Sequence, residues 1–209
     1  MDQTRGRRTA LVRLSAITLA ALGGAAITAC DRLSPAAKQP SFRGFDLTGA
    51  DYGRDFSLPD VYGQVRTLAD FRGKVVMLFF GFVQCPDICP TALARAAEVK
   101  RLLGANGEHL QMIFVTVDPE RDTAQVLRDY VTSFDPSFVA LRGDAEALQA
   151  TAAEFKVFYK AVPTGSSYTM DHSTQSYVFD PSGRLRLVLR HDQTAEDYAH
   201  DIAQLIPQP

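Results

Sequence analysis

Cys85 and Cys89 are the residues whose type and spacing point most directly to chemistry. They sit in the stretch Gly81-Phe82-Val83-Gln84-Cys85-Pro86-Asp87-Ile88-Cys89-Pro90. A thiolate is both a nucleophile and a soft metal ligand, so this pair is either a structural disulfide or a functional dithiol. Buried core cysteines are the plainer alternative, and the flanking prolines and the charged Asp87 speak against it.

The surrounding sequence places the pair between a strand and a helix. Val75-Val76-Met77-Leu78-Phe79-Phe80 reads as a buried strand from its β-branched and aromatic content, and a helical pattern starts near Thr91. Unpaired N–H groups and the positive end of the macrodipole at a helix N-terminus favour thiolate over thiol. Residues four apart would stack on one helix face. Within a helix, however, the Pro90 ring would clash with the carbonyl of Pro86. The reading is therefore that Pro90 is the first helical residue and that Cys85 to Cys89 form a loop pinned at both ends.

Residues 1–30 stand apart. Arg5, Arg7, Arg8 and Arg13 precede an uncharged run from Leu14 to Ala29, of secretory h-region length and short for a membrane span. The run ends in Ile27-Thr28-Ala29-Cys30, which resembles the lipobox of bacterial lipoproteins and makes Cys30 the expected lipidated residue. An uncleaved anchor and a twin-arginine signal at Arg7-Arg8 are alternatives; a transit peptide should be amphipathic, and this segment is apolar all round. Each reading but the last delivers the body across a membrane. The expected organisation is a signal peptide over 1–29, a tether over 30–42 and one domain over 43–209.

After cleavage about 180 residues remain, enough for one well-cored domain and too few for two of ordinary size. The net charge is -2 and the body has no basic cluster, which argues against nucleic acid as a partner. With Cys30 set aside, one cysteine pair is left in an exported protein, where thiols oxidise unless kept reduced or metal-bound.

Along the body, Gly44, Gly49 and Gly53 mark turns, since no Gly-Lys-Ser/Thr follows to make a phosphate loop. Phe56-Ser57-Leu58 and Val61 to Thr67 read as short strands or a hairpin. Ala92, Ala96, Val99 and Leu103 give a core-facing helix, and Gln111 to Val117 the next strand. Val126, Leu127, Tyr130, Val131 and Phe134 then mark a second helix. This order implies parallel pairing. Phe138 to Leu141, a helix from Ala145 to Phe155 and an extended Val157 to Val162 come next. Tyr177 to Asp180 and Leu185 to Leu189 flank the turn Pro181-Ser182-Gly183-Arg184 as a hairpin, and a last helix uses Ala195, Tyr198, Ala199, Ile202 and Leu205.

A parallel β-α-β half, a hairpin and a final helix, with cysteines between the first core strand and its helix, resemble a thioredoxin-like α/β fold: a central mixed sheet flanked by helices, with an extra N-terminal strand or hairpin. Three motifs narrow the likeness: G-F-x-x-C-P-D-I-C-P, V-D-P-E-R-D-T at Val117 to Thr123, and D-H-S at Asp171 to Ser173. Together and in this order they are similar to the Sco/SenC family from about residue 43 to the end. The resemblance implies a membrane-tethered copper chaperone, in the bacterial cell envelope and facing the periplasm, that serves the dinuclear copper centre of cytochrome c oxidase subunit II. It further implies a periplasmic copper donor or thiol reductant as a second partner. Val83-Gln84 departs from the Thr-His that family members often carry there, which should alter fine tuning rather than ligation.

The resemblance carries a ligand role to Cys85, Cys89 and His172 for one copper ion, as Cu(I) and as Cu(II). Alone, His172 would read as a surface or hydrogen-bonded histidine. Copper(I) accepts two thiolates and an imidazole, whereas structural zinc generally wants four ligands. Asp87, Asp171 and Met170 are candidates for a fourth position. Asp118 either makes a turn with Pro119, while Asp122 or Thr123 caps the next helix, or lies near the thiols as a supporting or docking contact. His109, His191 and His200 read as exposed. The competing function is thiol-disulfide exchange through Cys85 and Cys89, for which C-x-x-x-C is wider than the usual redox motif and no tryptophan is present. A thiol peroxidase or redox sensor would also need a peroxide-positioning group, and none is identifiable.

Overall fold

The computed structural model describes residues 41–207. The expected export segment, Cys30 and the tether up to residue 40 lie outside the described residues.

Strand β4 (Val75–Gly81) is buried along its whole length. A strand covered on both faces has to be a continuous apolar run, which explains why its sequence does not alternate. It pairs in parallel with β5 (Leu110–Thr116), from Val75 opposite Leu110 to Gly81 opposite Thr116. Strand β5 in turn pairs in parallel with β6 (Val139–Leu141). On its other side β4 pairs antiparallel with β9 (Ser176–Phe179), followed by β10 (Leu185–Leu189) and, at the edge, β1 (Phe45–Asp46). The resulting order is β1-β10-β9-β4-β5-β6, a mixed six-stranded sheet.

Helix α1 (Ile88–Leu102) connects β4 to β5 and buries Ala92, Leu93, Ala96 and Val99. Helix α2 (Ala124–Thr132) connects β5 to β6, and its N-terminus is capped by the Thr123 hydroxyl, which accepts the Val126 N–H. Helix α3 (Ala145–Glu154) follows β6, and α4 (Ala195–Ala203) ends the fold against α1. Buried Asp201 on α4 accepts the N–H groups of Arg43 and Gly44 at 2.7 to 3.0 Å, so the chain enters the domain beside its last helix.

Two ribbons lie outside the main sheet. The expected N-terminal hairpin is β2 (Leu58–Pro59) with β3 (Val65–Arg66), shorter than its apolar run and attached to β6 by a bridge from Asp60 to Leu141. The extended stretch from Val157 is half of a second hairpin, β7 (Tyr159–Thr164) with β8 (Ser167–His172), closed by Gly165 with φ +62°. Its second strand and its turn were not expected.

The expected start of α1 is corrected: the helix begins at Ile88, with Asp87 as N-cap. Pro90 then occupies the third helical position. Its missing N–H costs nothing in the first turn, and Pro86 lies ahead of the helix, so the anticipated clash does not arise.

Candidate metal centre

The β4–α1 junction, the β5–α2 loop and the end of β8 meet at the carboxyl edge of the parallel strands, where functional groups gather in open α/β sheets. Because α1 starts early, Cys89 belongs to its first turn and is fully buried, while Cys85 lies in the preceding loop and is half-buried. Both thiols are free. The Cys89 N–H, one of the unpaired donors of the helix start, points at Cys85 Sγ at 3.4 Å.

Gly81 makes room for this arrangement. A β-carbon there would lie 2.8 Å from both Cys89 Sγ and the Phe114 ring, so any side chain would push the sulfur out of place.

His172 reaches the thiols from the end of β8. Its Nε2 is 3.5 Å from Cys89 Sγ, and the ligand atoms of Cys85, Cys89 and His172 all lie within 4.8 Å of one another. The imidazole is walled by Phe79 and Phe82, both edge-on at centroid distances of 6.0 and 5.7 Å. Its Nδ1 is 2.8 Å from the Ser173 carbonyl. A carbonyl only accepts, so Nδ1 carries a proton, and Nε2 is the ring nitrogen that faces the sulfurs.

The two thiols are electrostatically unequal. Cys85 is held well below the ordinary thiol range, first by a hydrogen bond from the Cys89 thiol, then by His172 and the N–H groups of Asp87 and Cys89, which together outweigh its partial burial. Cys89 is pushed well above that range, first by donating its proton to Cys85 and then by burial. Cys85 is therefore the resting thiolate and Cys89 the proton holder.

The carboxylates fall elsewhere. Among the described residues, the His, Cys, Asp and Glu groups that converge here are those three alone. Asp87 is exposed, with its carboxylate toward the Thr91 hydroxyl. Asp171 is exposed on the opposite face of β8 from His172, as strand alternation requires. Met170 shares the His172 face and lines a cavity of about 540 Å³ with Leu148, Tyr159 and Tyr168. Asp118 is buried and makes its contacts with Arg121 and Tyr168. Of the two proposed helix caps Thr123 acts, and Asp122 instead accepts the Thr116 hydroxyl and the Val83 N–H, tying the cysteine loop to β5. His109 and His200 are exposed as expected, whereas His191 is half-buried.

Sequence reasoning passed over Gly81, Arg121 and Tyr168 as parts of the site. Arg121 stood within a singled-out motif, but nothing local connects it with Tyr168, 47 residues further on.

A parallel β-α-β core joined to an antiparallel hairpin, with a dithiol at the first strand-helix junction and an imidazole facing it, defines a thioredoxin-like protein whose redox position has become a three-donor metal-binding cluster. The SCO1/SenC family model matches residues 46–207. Protein SCO2 homolog, mitochondrial, of Bos taurus is 38% identical over 185 residues, 87% of this chain and 69% of the bovine protein. Bradyrhizobium japonicum ScoI, solved with copper bound, is 37% identical with a TM-score of 0.66, covering 72% of this chain and 97% of that one. The apo Sco1 solution structure from Thermus thermophilus is 35% identical with a TM-score of 0.70, covering 80% and 99%. This chain belongs to the Sco/SenC family.

Proposed function

We propose that this chain binds one copper ion through Cys85, Cys89 and His172 and passes it to the dinuclear copper centre of cytochrome c oxidase subunit II during assembly. The Sco family is one of cytochrome c oxidase assembly proteins. The observation that carries the reading is the convergence of two thiols and an imidazole nitrogen in a relative of copper-bound Sco proteins. Two thiolates and an imidazole suit Cu(I), which is content with three soft donors. No fourth protein ligand is at hand among the described carboxylates and histidines to build a closed structural zinc site.

Transfer follows from unequal exposure. Half-buried Cys85 is the donor that an incoming thiolate of the partner can replace first, and His172 rides on a hairpin outside the main sheet. Buried Cys89 lets go last. The chain works from a tethered position, through lipid on Cys30, on the extracytoplasmic side of a bacterial envelope; the Arg-rich and apolar N-terminal segment supports that placement.

Thiol inequality favours a second reading, reduction of the partner's cysteines before loading. The Cys85 thiolate attacks the partner disulfide and releases one partner thiolate; Cys89 gives up its proton and attacks Cys85 Sγ, releasing the other. This chain ends as the disulfide and the partner as the dithiol.

Anaerobic Cu(I) competition on the reduced protein separates the two. One copper per chain is expected, with affinity falling at least tenfold in His172→Ala while Cys85 and Cys89 still form their disulfide. Affinity unchanged by His172→Ala would remove the ligand assignment and leave thiol exchange.

A further inference from the structure

Arg121 ties the hairpin that carries His172 to the cysteine loop. Among the described residues, strands β7 and β8 pair as strands with each other and not with the six-stranded sheet. A free two-stranded ribbon is marginal in water, so other contacts must hold it over the cysteines. At its base, Phe158 and Ser173 exchange hydrogen bonds. Toward its tip the fastening is Arg121, from the β5–α2 loop.

The Arg121 guanidinium lies 3.6 Å from the Tyr168 ring centroid and donates to the Tyr168 carbonyl at 2.7 Å. The same Nη1 donates to Gln84 Oε1 at 3.2 Å, one residue before Cys85. Its Nε is paired with buried Asp118 at 2.5 Å, and the other Asp118 oxygen accepts the Tyr168 hydroxyl at 2.8 Å. The loop beneath is pinned in turn by Arg142, which donates to the carbonyls of Pro119 and Asp122. One planar cation therefore touches the His172 hairpin, the residue next to Cys85 and a fixed anion at once. The fork geometry is specific to arginine, since a lysine ammonium can neither stack nor bridge in this way.

We infer that Arg121 is the positioning residue for His172: it latches the β7–β8 hairpin to the cysteine loop, and opening this latch withdraws the imidazole from the thiols. The inference rests on the copper reading for its consequence, because withdrawing His172 leaves a two-thiolate site that holds the ion less tightly. Tyr168 and Gln84 are the surfaces Arg121 grips, and Asp118 fixes its orientation. Arg121 itself touches neither sulfur nor imidazole.

The test uses the reduced full chain in detergent, with Arg121→Gln and Tyr168→Phe made both in the native sequence and in His172→Ala. Without metal, Arg121→Gln should raise amide exchange across Ser167–His172 at least fivefold more than across Ser176–Phe179; a uniform rise or no rise would overturn the latch. Under Cu(I) competition, Arg121→Gln should weaken binding about tenfold in the native sequence and less than twofold in His172→Ala. Equal losses in both backgrounds would overturn the positioning role, because a merely structural arginine does not need His172. Tyr168→Phe, which removes only the hydroxyl bond to Asp118, should show the same pattern at smaller size and stands in if Arg121→Gln does not fold. If the native chain shows no His172-dependent copper binding, the copper reading fails, and the exchange measurement alone decides whether the latch exists.

Discussion

At the residue scale, two of the three donors of the cluster, Cys85 and His172, are prepared by backbone groups. Ser173 O fixes the tautomer of His172, and the Cys89 N–H points at Cys85 Sγ. A lowered Cys85 pKa means that the thiolate persists as pH falls below neutrality, whereas buried Cys89 keeps its proton. In the metal-free reduced protein, iodoacetamide should modify Cys85 ahead of Cys89, at a rate that drops less than twofold from pH 8 to pH 6. A thiol of ordinary pKa near 8.5 would slow roughly 70-fold over that interval. Peptide mapping of the alkylated protein distinguishes the outcomes, and a steep decline at Cys85 would contradict the assigned asymmetry.

At the element scale, the β9–β10 hairpin follows the His172 segment and lays β9 against β4. Its turn is organised by buried Asp180, which accepts the Ser182 and Arg184 N–H groups and the Ser182 hydroxyl and pairs with Arg184 and Arg186. Burial alone would raise this carboxyl; the Ser182 and Arg184 hydrogen bonds outweigh it and hold it low. Asp180→Ala should cost about 2 kcal/mol in urea unfolding at pH 7, in the range for hydrogen bonds to a charged group. Because the folded pKa is depressed, this contribution is complete above the unfolded value near 4 and is lost as pH falls through the lower folded value, so the gap should close on acidification. A gap that held constant down to pH 2 would refute the linkage.

At the scale of the whole molecule, Asp201 binds the first described residues to α4 through the N–H groups of Arg43 and Gly44. Among the described residues no helix is long and apolar enough to cross a membrane. The lipid anchor proposed at Cys30 has its own test: Cys30→Ser should release the protein from the membrane fraction while leaving copper binding unchanged. Membrane retention intact in that variant would favour an uncleaved apolar anchor.

Much of this molecule was legible along the chain because its signals are local. A continuous apolar run such as Val75–Phe80 calls for a strand covered on both faces, periods of three and four residues mark α1, α2 and α4, and the turn chemistry of Pro181 to Arg184 sets the β9–β10 hairpin. Two of the three motifs also singled out the three side chains that the structure brings together. The β7–β8 ribbon was half-read, because Tyr159–His172 lacks a long apolar stripe and its pairing depends on a turn at Gly165. The start of α1 was misplaced by two residues because proline is tolerated throughout the first turn, and only the position of Pro86 outside the helix removes the clash. Tertiary structure alone decided that Arg121, Tyr168, Gln84 and Asp118 form one latch and that Gly81 clears space for the Cys89 sulfur. Those relations join residues up to 50 positions apart, and no local periodicity encodes which side chains the folded sheet brings face to face.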